Sequence, residues 1–136
     1  QIVIKVAGGG KEPREIPLKK QKRRICSREE SCDECAGLEY NDYDYAGLYK
    51  EIAKLKASDD FKEVDSINIG AENMVQWKVM ARTIDAVRSR REDKEPFKSH
   101  CEFERAKPLK VKITNADDEE ITTVVEMFPK IVFVML

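Results

Sequence analysis

The sequence predicts a single α+β domain over residues 1–136, an elaborated ferredoxin-like (split βαβ) sandwich with the element order β-α-α-β-β-α-β. Three patterns lead to this fold class. Residues 71–92 repeat apolar side chains at helical spacing, residues 101–113 alternate apolar and charged side chains, and residues 131–136 form a continuous apolar run. A chain of 136 residues can form one hydrophobic core and is too short for two ordinary domains.

The stretch 71–92 contains the only tryptophan and shows the clearest helical pattern. Met74, Trp77, Ala81 and Ile84 recur at spacings of three and four, and Met80 and Val87 widen this stripe. The pattern predicts a helix that buries one broad side. Trp77 is therefore expected in the core. Its replacement by alanine would then lower the free energy of unfolding by about 3–5 kcal/mol, because a large cavity would remain.

Shorter patterns place the elements of the first half. Alternation over residues 2–6 predicts a first strand, and the glycine triplet at residues 8–10 is expected to end it in a flexible turn. Residues 42–57 carry a second helical stripe, for which Asn41 is the expected N-cap. A short extended piece at residues 67–69 leads into the long helix.

The second half is expected to contain a hairpin, a helix and a strand. Phe103 opposite Val111 gives a hairpin register in which apolar side chains share one face and opposite charges share the other. Asn115 is the expected cap of a third helix, with acidic residues 117–120 in its first turn. The run 131–136 is typical of a strand that is covered on both faces.

Charge is strongly segregated although the net charge is only −1. Residues 1–25 carry eight Lys/Arg and two Asp/Glu, whereas residues 26–65 carry five Lys/Arg and twelve Asp/Glu. A basic arm beside an acidic segment is consistent with attraction within one molecule or with two docking surfaces. Residues 7–35 show no clear periodicity and are expected to be a loop or a partly disordered arm.

The basic run within this arm carries the leading functional hypothesis, a non-enzymatic binding module that contacts nucleic-acid backbone. Cations that neutralise phosphates release counterions and so provide affinity without reading sequence. Three arginines at the end of the long helix are candidates for the same role. The candidate nucleic-acid-binding residues are Lys19, Lys20, Lys22, Arg23, Arg24, Arg88, Arg90 and Arg91.

Cysteine spacing supports a weaker alternative, a zinc-stabilised or thiol-redox protein. Cys32 and Cys35 form a CxxC pair close to Cys26, and such thiolates can form half of a zinc site. The acidic residues around the pair would raise the pKa of a thiol, which disfavours dithiol catalysis. Structural cysteines, or disulfides in an exported protein, are the remaining interpretation.

The predicted hairpin also bears on catalysis. His100 and Cys101 would be adjacent in a strand and would point to opposite faces, so they could not form a catalytic dyad. His100 is expected on the solvent face and Cys101 in the core. No catalytic residue is predicted, and the chain is expected not to be an enzyme.

The apolar final strand favours the other main alternative, a protein-interaction or assembly adaptor. An apolar strand at a sheet edge is an association site, which predicts a homodimer or an obligate protein partner. No apolar run approaches the roughly 20 residues that a bilayer span needs, so no membrane partner is expected. An intracellular location, cytoplasmic or nuclear, is predicted, and a start at Gln1 is compatible with removal of a targeting segment.

Overall fold

The computed structural model describes residues 2–8, 11–72, 74–92 and 97–135, with backbone alone at residues 8 and 11. These residues form a mixed α+β structure, which confirms the predicted class. Its elements are β1 (Ile2–Gly8), β2 (Lys11–Pro17), β3 (Lys20–Arg24), β4 (Glu39–Tyr43), α1 (Tyr45–Ala57), β5 (Ser66–Ala71), α2 (Trp77–Arg88), α3 (His100–Arg105), β6 (Lys110–Thr114), β7 (Glu120–Val124) and β8 (Lys130–Met135).

The main sheet has the strand order β2-β1-β5-β8. β1 runs antiparallel to both β2 and β5, and β5 runs parallel to β8. Ile4 lies opposite Ile16 on one side and Ile69 on the other, and Ile69 is beside Phe133. Because strand side chains alternate, these residues share one face of the sheet.

That face and the helices α1 and α2 enclose the core. Ile4 and Ile69 are fully buried in one cluster with Tyr49 of α1 and Val87 of α2. The opposite face is open at β1, where Lys5 is exposed. Among the described residues, α1 and α2 therefore cover one face of the sheet.

Two excursions from this sheet form a second part of the molecule. The first is the β3–β4 hairpin, whose long connection contains a short 3₁₀-helix at Cys32–Glu34. The second contains α3 and the β6–β7 hairpin. A disulfide between Cys32 and Cys101 joins the two excursions covalently.

The ferredoxin-like order of elements is not confirmed, and several element predictions in the second half are wrong. Residues 100–105 form a helix, so Phe103 does not pair with Val111, which lies opposite Thr123. The Ser99 hydroxyl accepts a hydrogen bond from the amide of Glu102, and the Glu102 carboxylate accepts one from the amide of Lys98. This reciprocal capping stabilises a short helix that alternation alone does not reveal.

The predicted third helix is wrong because residues 120–124 form strand β7. Asn115 begins the hairpin turn instead of a helix, and its Oδ1 accepts hydrogen bonds from the amides of Asp117 and Glu119, each at 2.9 Å. Asp118 has φ of 59°, a left-handed conformation that Asp tolerates in turns. The side chain of Asn115 therefore stabilises an Asx turn and does not cap a helix.

The first half is predicted better, with two exceptions. Helix α1 and the strands at residues 2–8 and 66–71 confirm the expectations, although Asp44 caps α1 by accepting from the amide of Gly47 at 2.9 Å. Asn41 instead lies within β4. The expected loop at residues 7–35 is wrong over β2 and β3. Gly9 and Gly10 of the predicted turn lie outside the described residues.

Helix α2 is shorter than predicted, and only part of the predicted stripe is in the core, namely Met80 and Val87. Trp77 is 72% exposed and Met74, before the helix, is 91% exposed, so the predicted core position of Trp77 is wrong. The buried side chains are Val79, Met80, Thr83, Ala86 and Val87, which recur at the same helical spacing. The periodicity was sufficient to predict a helix but not to choose between two overlapping stripes.

We therefore expect Trp77→Ala to lower the free energy of unfolding by less than about 1 kcal/mol, because an exposed side chain leaves no cavity. Phe128→Ala is the contrasting variant and should cost about 3–5 kcal/mol, since Phe128 is fully buried. Urea denaturation at a concentration that keeps the chain monomeric measures both values. A loss of several kcal/mol for Trp77→Ala would restore the tryptophan to the core.

Candidate functional site

The basic run has one buried residue, and its other members are exposed. Arg23 is 5% exposed, whereas Lys19, Lys20 and Lys22 are exposed. Arg24 is also at the surface and pairs with Glu39 of β4 at 3.2 Å. The run is therefore an ordered strand with three lysines left at the surface, and only part of it can meet a phosphate backbone.

The buried guanidinium of Arg23 is surrounded by polar groups from two elements. Its Nη2 donates to the Tyr40 hydroxyl at 2.6 Å and to Glu104 Oε1 at 3.2 Å, and its Nη1 lies 2.6 Å from His100 Nδ1. Its Nε lies 3.1 Å from Asp42 Oδ2, within ion-pair distance. We call these five residues the Arg23 cluster, and they tie the β3–β4 hairpin to α3.

Helix α2 joins the same cluster through Asp42. Arg82 donates to Asp42 Oδ2 at 3.0 Å, and the Tyr45 hydroxyl lies 3.3 Å from Asp42 Oδ1. Burial, together with the nearby Asp42 carboxylate, raises the pKa of Tyr45 above its ordinary value, so the phenol stays protonated. Two guanidinium groups and two carboxylates therefore meet, and their charges balance within the molecule.

The predicted solvent position of His100 is wrong. Its side chain is 11% exposed and packs edge-on against the rings of Tyr45 and Phe103. Burial, and then the positive charge of Arg23, lowers the pKa of His100 from 6.5 to about 3. The imidazole is consequently neutral near pH 7 and can accept a hydrogen bond from Arg23, which an imidazolium could not.

The three arginines near the end of α2 do not form one exposed patch. Arg88 is exposed, while Arg90 and Arg91 are half-buried. The guanidinium of Arg91 lies 3.9 Å from the centroid of the Phe103 ring and donates to the Phe103 carbonyl at 2.9 Å. Its backbone amide donates to the Tyr49 hydroxyl at 3.0 Å. Arg91 therefore packs α3 against α1 and is not available as a separate surface charge.

All four cysteines are paired, Cys26 with Cys35 and Cys32 with Cys101. The expected core position of Cys101 is thus replaced by a half-buried disulfide position on α3. Within the described residues no group of three or more His, Cys, Asp or Glu side chains is placed to hold a metal ion. A zinc site at Cys26, Cys32 and Cys35 would need their thiolates and stays a prediction for a reduced form.

The loop that carries three of these cysteines is closely packed backbone to backbone. A Cβ atom at Gly37 would overlap the carbonyl oxygen of Ile25, so no larger residue fits without movement of the loop. The Gly37 carbonyl accepts a hydrogen bond from Arg24 at 2.8 Å. Arg105 of α3 donates to the Ser27 carbonyl at 2.7 Å and adds a second link between the two excursions.

Strand β8 presents an apolar edge. It is the end strand of the main sheet, and it pairs with β5 alone among the described strands. Val132, Phe133, Val134 and Met135 are all exposed, from 44% at Val134 to 70% at Met135. The predicted strand and its edge position are therefore confirmed, but its expected coverage on both faces is wrong.

A groove of about 440 Å³ lies beside this edge. Phe133 and Met135 form one side, and Val75, Trp77 and Met80 form the other. The edge of β8 and this groove together are called the β8 surface. The sequence predicted the strand of this surface but placed Trp77 in the core. The overlooked signal was a second apolar stripe on α2 that could fill the core in its place.

A second exposed apolar area lies on the β6–β7 hairpin. Val111, Ile113 and Ile121 are each about two-fifths exposed, and Ile113 lies opposite Ile121. Backbone hydrogen bonds of Arg90 with Val125 and Leu109, each 2.8 Å, fix the base of this hairpin. It provides one exposed valine, Val111, that can be compared directly with those of β8.

Comparison with protein-family models, with curated proteins and with solved structures finds no match to this chain. Among the described residues, no helix has the length and apolar character needed to cross a bilayer.

We predict that Arg23→Met lowers the free energy of unfolding by about 3–5 kcal/mol, because it leaves the buried Asp42 with one partner fewer. Arg24→Met on the same strand is the control. It should cost less than about 1 kcal/mol because both side chains of the Arg24–Glu39 pair are about half exposed. Equal losses in urea denaturation would show that the Arg23 cluster does not hold the two excursions together.

We also predict that the native state loses stability as the pH falls from about 6.5 towards 3. In that window the unfolded chain binds a proton at His100 and the folded chain does not, so protonation favours unfolding. His100→Gln should reduce the difference in unfolding free energy between pH 7 and pH 5, as measured by urea titration. An unchanged difference would mean that His100 does not titrate at its ordinary pKa on unfolding.

Proposed function

We propose that this chain is a protein-assembly module that self-associates through the β8 surface. The observation that carries this proposal is the exposure of four consecutive apolar side chains, 132–135, on an edge strand. Unpaired backbone groups at such an edge can receive another strand, and natural edges usually carry charges or bulges that prevent this. The charged side chain of β8 is Lys130, at its first position.

The groove beside β8 supports the same function. Trp77 and Met135 are both at least 70% exposed, and large apolar side chains in contact across an interface contribute much of the binding energy. An aromatic residue and a methionine at the margin of an apolar groove are typical of protein contact surfaces. The strand edge would supply backbone hydrogen bonds, and the groove would supply apolar burial.

We expect Val134→Lys to weaken self-association at least tenfold, about 1.4 kcal/mol, because it removes an apolar contact between the two edge strands and brings two like charges close together at the interface. Val111→Lys on the β6–β7 hairpin is the matched control, since Val111 and Val134 are 41% and 44% exposed. Sedimentation equilibrium over a concentration series measures both variants.

Two results would contradict self-association at this surface. One is a wild-type chain that stays monomeric at high concentration, in which case the edge would be left for an obligate partner of another sequence. The other is an equal effect of Val111→Lys and Val134→Lys, which would show a general response to added charge.

Contact with nucleic-acid backbone is the second candidate function, and the exposure of Lys19, Lys20 and Lys22 favours it. Lys20 and Lys22 are two residues apart in β3 and so share one face of the hairpin. Arg23 is committed to the interior and Arg24 to Glu39. The expected contact with nucleic-acid backbone therefore involves three lysines and not all five cations of the basic run.

Under this second candidate, affinity for duplex DNA should fall with salt at a log–log slope of about −3, one phosphate for each free lysine. Replacing Lys19, Lys20 and Lys22 with glutamine should abolish most of the binding. Replacing the exposed Lys50, Lys54 and Lys107 removes the same charge elsewhere and should have little effect. Equal losses in the two triple variants would exclude a local site on β3.

The two disulfides bear on where the module works. Disulfides form and persist in oxidising compartments and are rare in the cytosol. We therefore propose an oxidising compartment in place of the intracellular location predicted from composition. Mass spectrometry of the chain from its native source, after alkylation without reduction, should show all four cysteines unmodified by the alkylating reagent, and four labelled cysteines would contradict this location.

A further inference from the structure

The hydrogen bonds of β8 show which of its backbone groups face outward. The amide of Lys130 donates to the carbonyl of Asp65 at 3.1 Å, in the ladder where Lys130 lies beside Ser66. In a strand, the N–H and C=O groups of successive residues point to alternate sides. The backbone groups of residues 130, 132 and 134 therefore face β5, and those of Ile131, Phe133 and Met135 face the free edge.

The three residues whose backbone groups face the free edge also have their side chains on the helical face of the sheet. Ile131 and Phe133 lie beside Ile67 and Ile69, whose side chains are buried under the helices. Val132 and Val134 consequently point to the open face of the sheet. Ile131, Phe133 and Met135 thus offer both edge hydrogen bonds and an apolar side chain on the helical face, and Phe133 and Met135 also line the groove.

We propose that two copies of this chain pair their β8 strands antiparallel about a two-fold axis that passes between the two Phe133 residues. This inference rests on the proposed self-association and specifies its register. A two-fold axis perpendicular to the sheet keeps the helical layers of both copies on one side. Residues opposite each other then share a face, so odd-numbered residues must meet odd-numbered residues.

Among the registers that satisfy this condition, the one centred on Phe133 makes the most contacts. Phe133 meets Phe133 of the second copy, and Ile131 meets Met135 at both ends. Each of these three pairs can exchange two backbone hydrogen bonds, about six in total. Counted over the described strand β8 (Lys130–Met135), a shift of two residues in either direction leaves about four, and one such shift brings Pro129, which lacks an N–H, opposite Met135.

Side-chain complementarity favours the same register and a second copy as the occupant. Two phenylalanines meet beside the groove that Trp77 and Met80 line, and each groove gains the Ile131 side chain of the other copy opposite its own Met135. Val132 meets Val134 on the open face. The Lys130 ammonium groups stay at the two ends, 3.1 Å from Asp65 of their own chain, so like charges do not meet at the centre.

Cysteine cross-linking of the full chain tests the register. In an antiparallel pair that exchanges hydrogen bonds, Cα atoms are about 5.5 Å apart, which is within the range of a disulfide. Phe133→Cys should therefore give a covalent dimer on mild oxidation. Ile131→Cys alone should not, because the two copies of residue 131 would be separated by about 13 Å along the strand direction alone, beyond the range of a disulfide.

A mixture of two cysteine variants tests the same register without replacing Phe133. Ile131→Cys mixed with Met135→Cys should cross-link with high yield, and neither variant should do so alone. Val111→Cys is the control for random collision, because Val111 is similarly exposed on another hairpin. Adding Val134→Lys to the Phe133→Cys chain should suppress its cross-link.

The outcomes separate the register from the function. A dimer by sedimentation that cross-links only when Ile131→Cys is mixed with Phe133→Cys, or Phe133→Cys with Met135→Cys, would overturn the register and leave self-association intact. A monomer with no cross-link above the Val111→Cys level would overturn both. Cross-linking at Phe133 and in the 131/135 mixture alone would establish the proposed pairing.

Discussion

The burial of one guanidinium group constrains the rest of this structure. Arg23 is almost inaccessible to water, and an ion moved into such a place loses several kcal/mol of hydration unless charged and polar groups replace the solvent. Those groups come from β4 and α3, with α2 attached through Asp42. Separation of the two excursions would remove His100 and Glu104 from this guanidinium, so the burial of Arg23 favours their packing against each other.

This constraint also explains the charge segregation in the sequence. Arg23 and Arg24 of the basic segment pair with Asp42 and Glu39 of the acidic segment, so part of the opposition is neutralised within one hairpin. A neutral His100 completes the cluster without adding a third positive charge. Of the two interpretations of segregated charge, attraction within the molecule accounts for these residues, while Lys20 and Lys22 of β3 stay exposed.

Sequence patterns predicted local structure well where a single physical effect acted. The apolar stripe of α1 and the alternation of β1 have one solution each, and both were predicted close to their observed bounds. At Trp77 two apolar stripes of α2 overlapped, and periodicity alone could not show which of them faces the core. At His100 and Asn115, capping and turn hydrogen bonds outweighed alternation and helix signals. Sequence patterns could not predict the Arg23 cluster, because its members lie up to 81 residues apart in the chain.

The disulfide between Cys32 and Cys101 has a mechanical consequence. It joins residues 69 positions apart, and the segment between them includes α1, β5 and α2. A force applied to the two ends of the chain would pass through this covalent bond and bypass that segment. The bypassed segment would measure about 240 Å if fully extended, at roughly 3.5 Å for each residue, and the applied force would not extend it. The strands β1 and β8 at the two ends would bear the load, while the helical layer would be shielded from it.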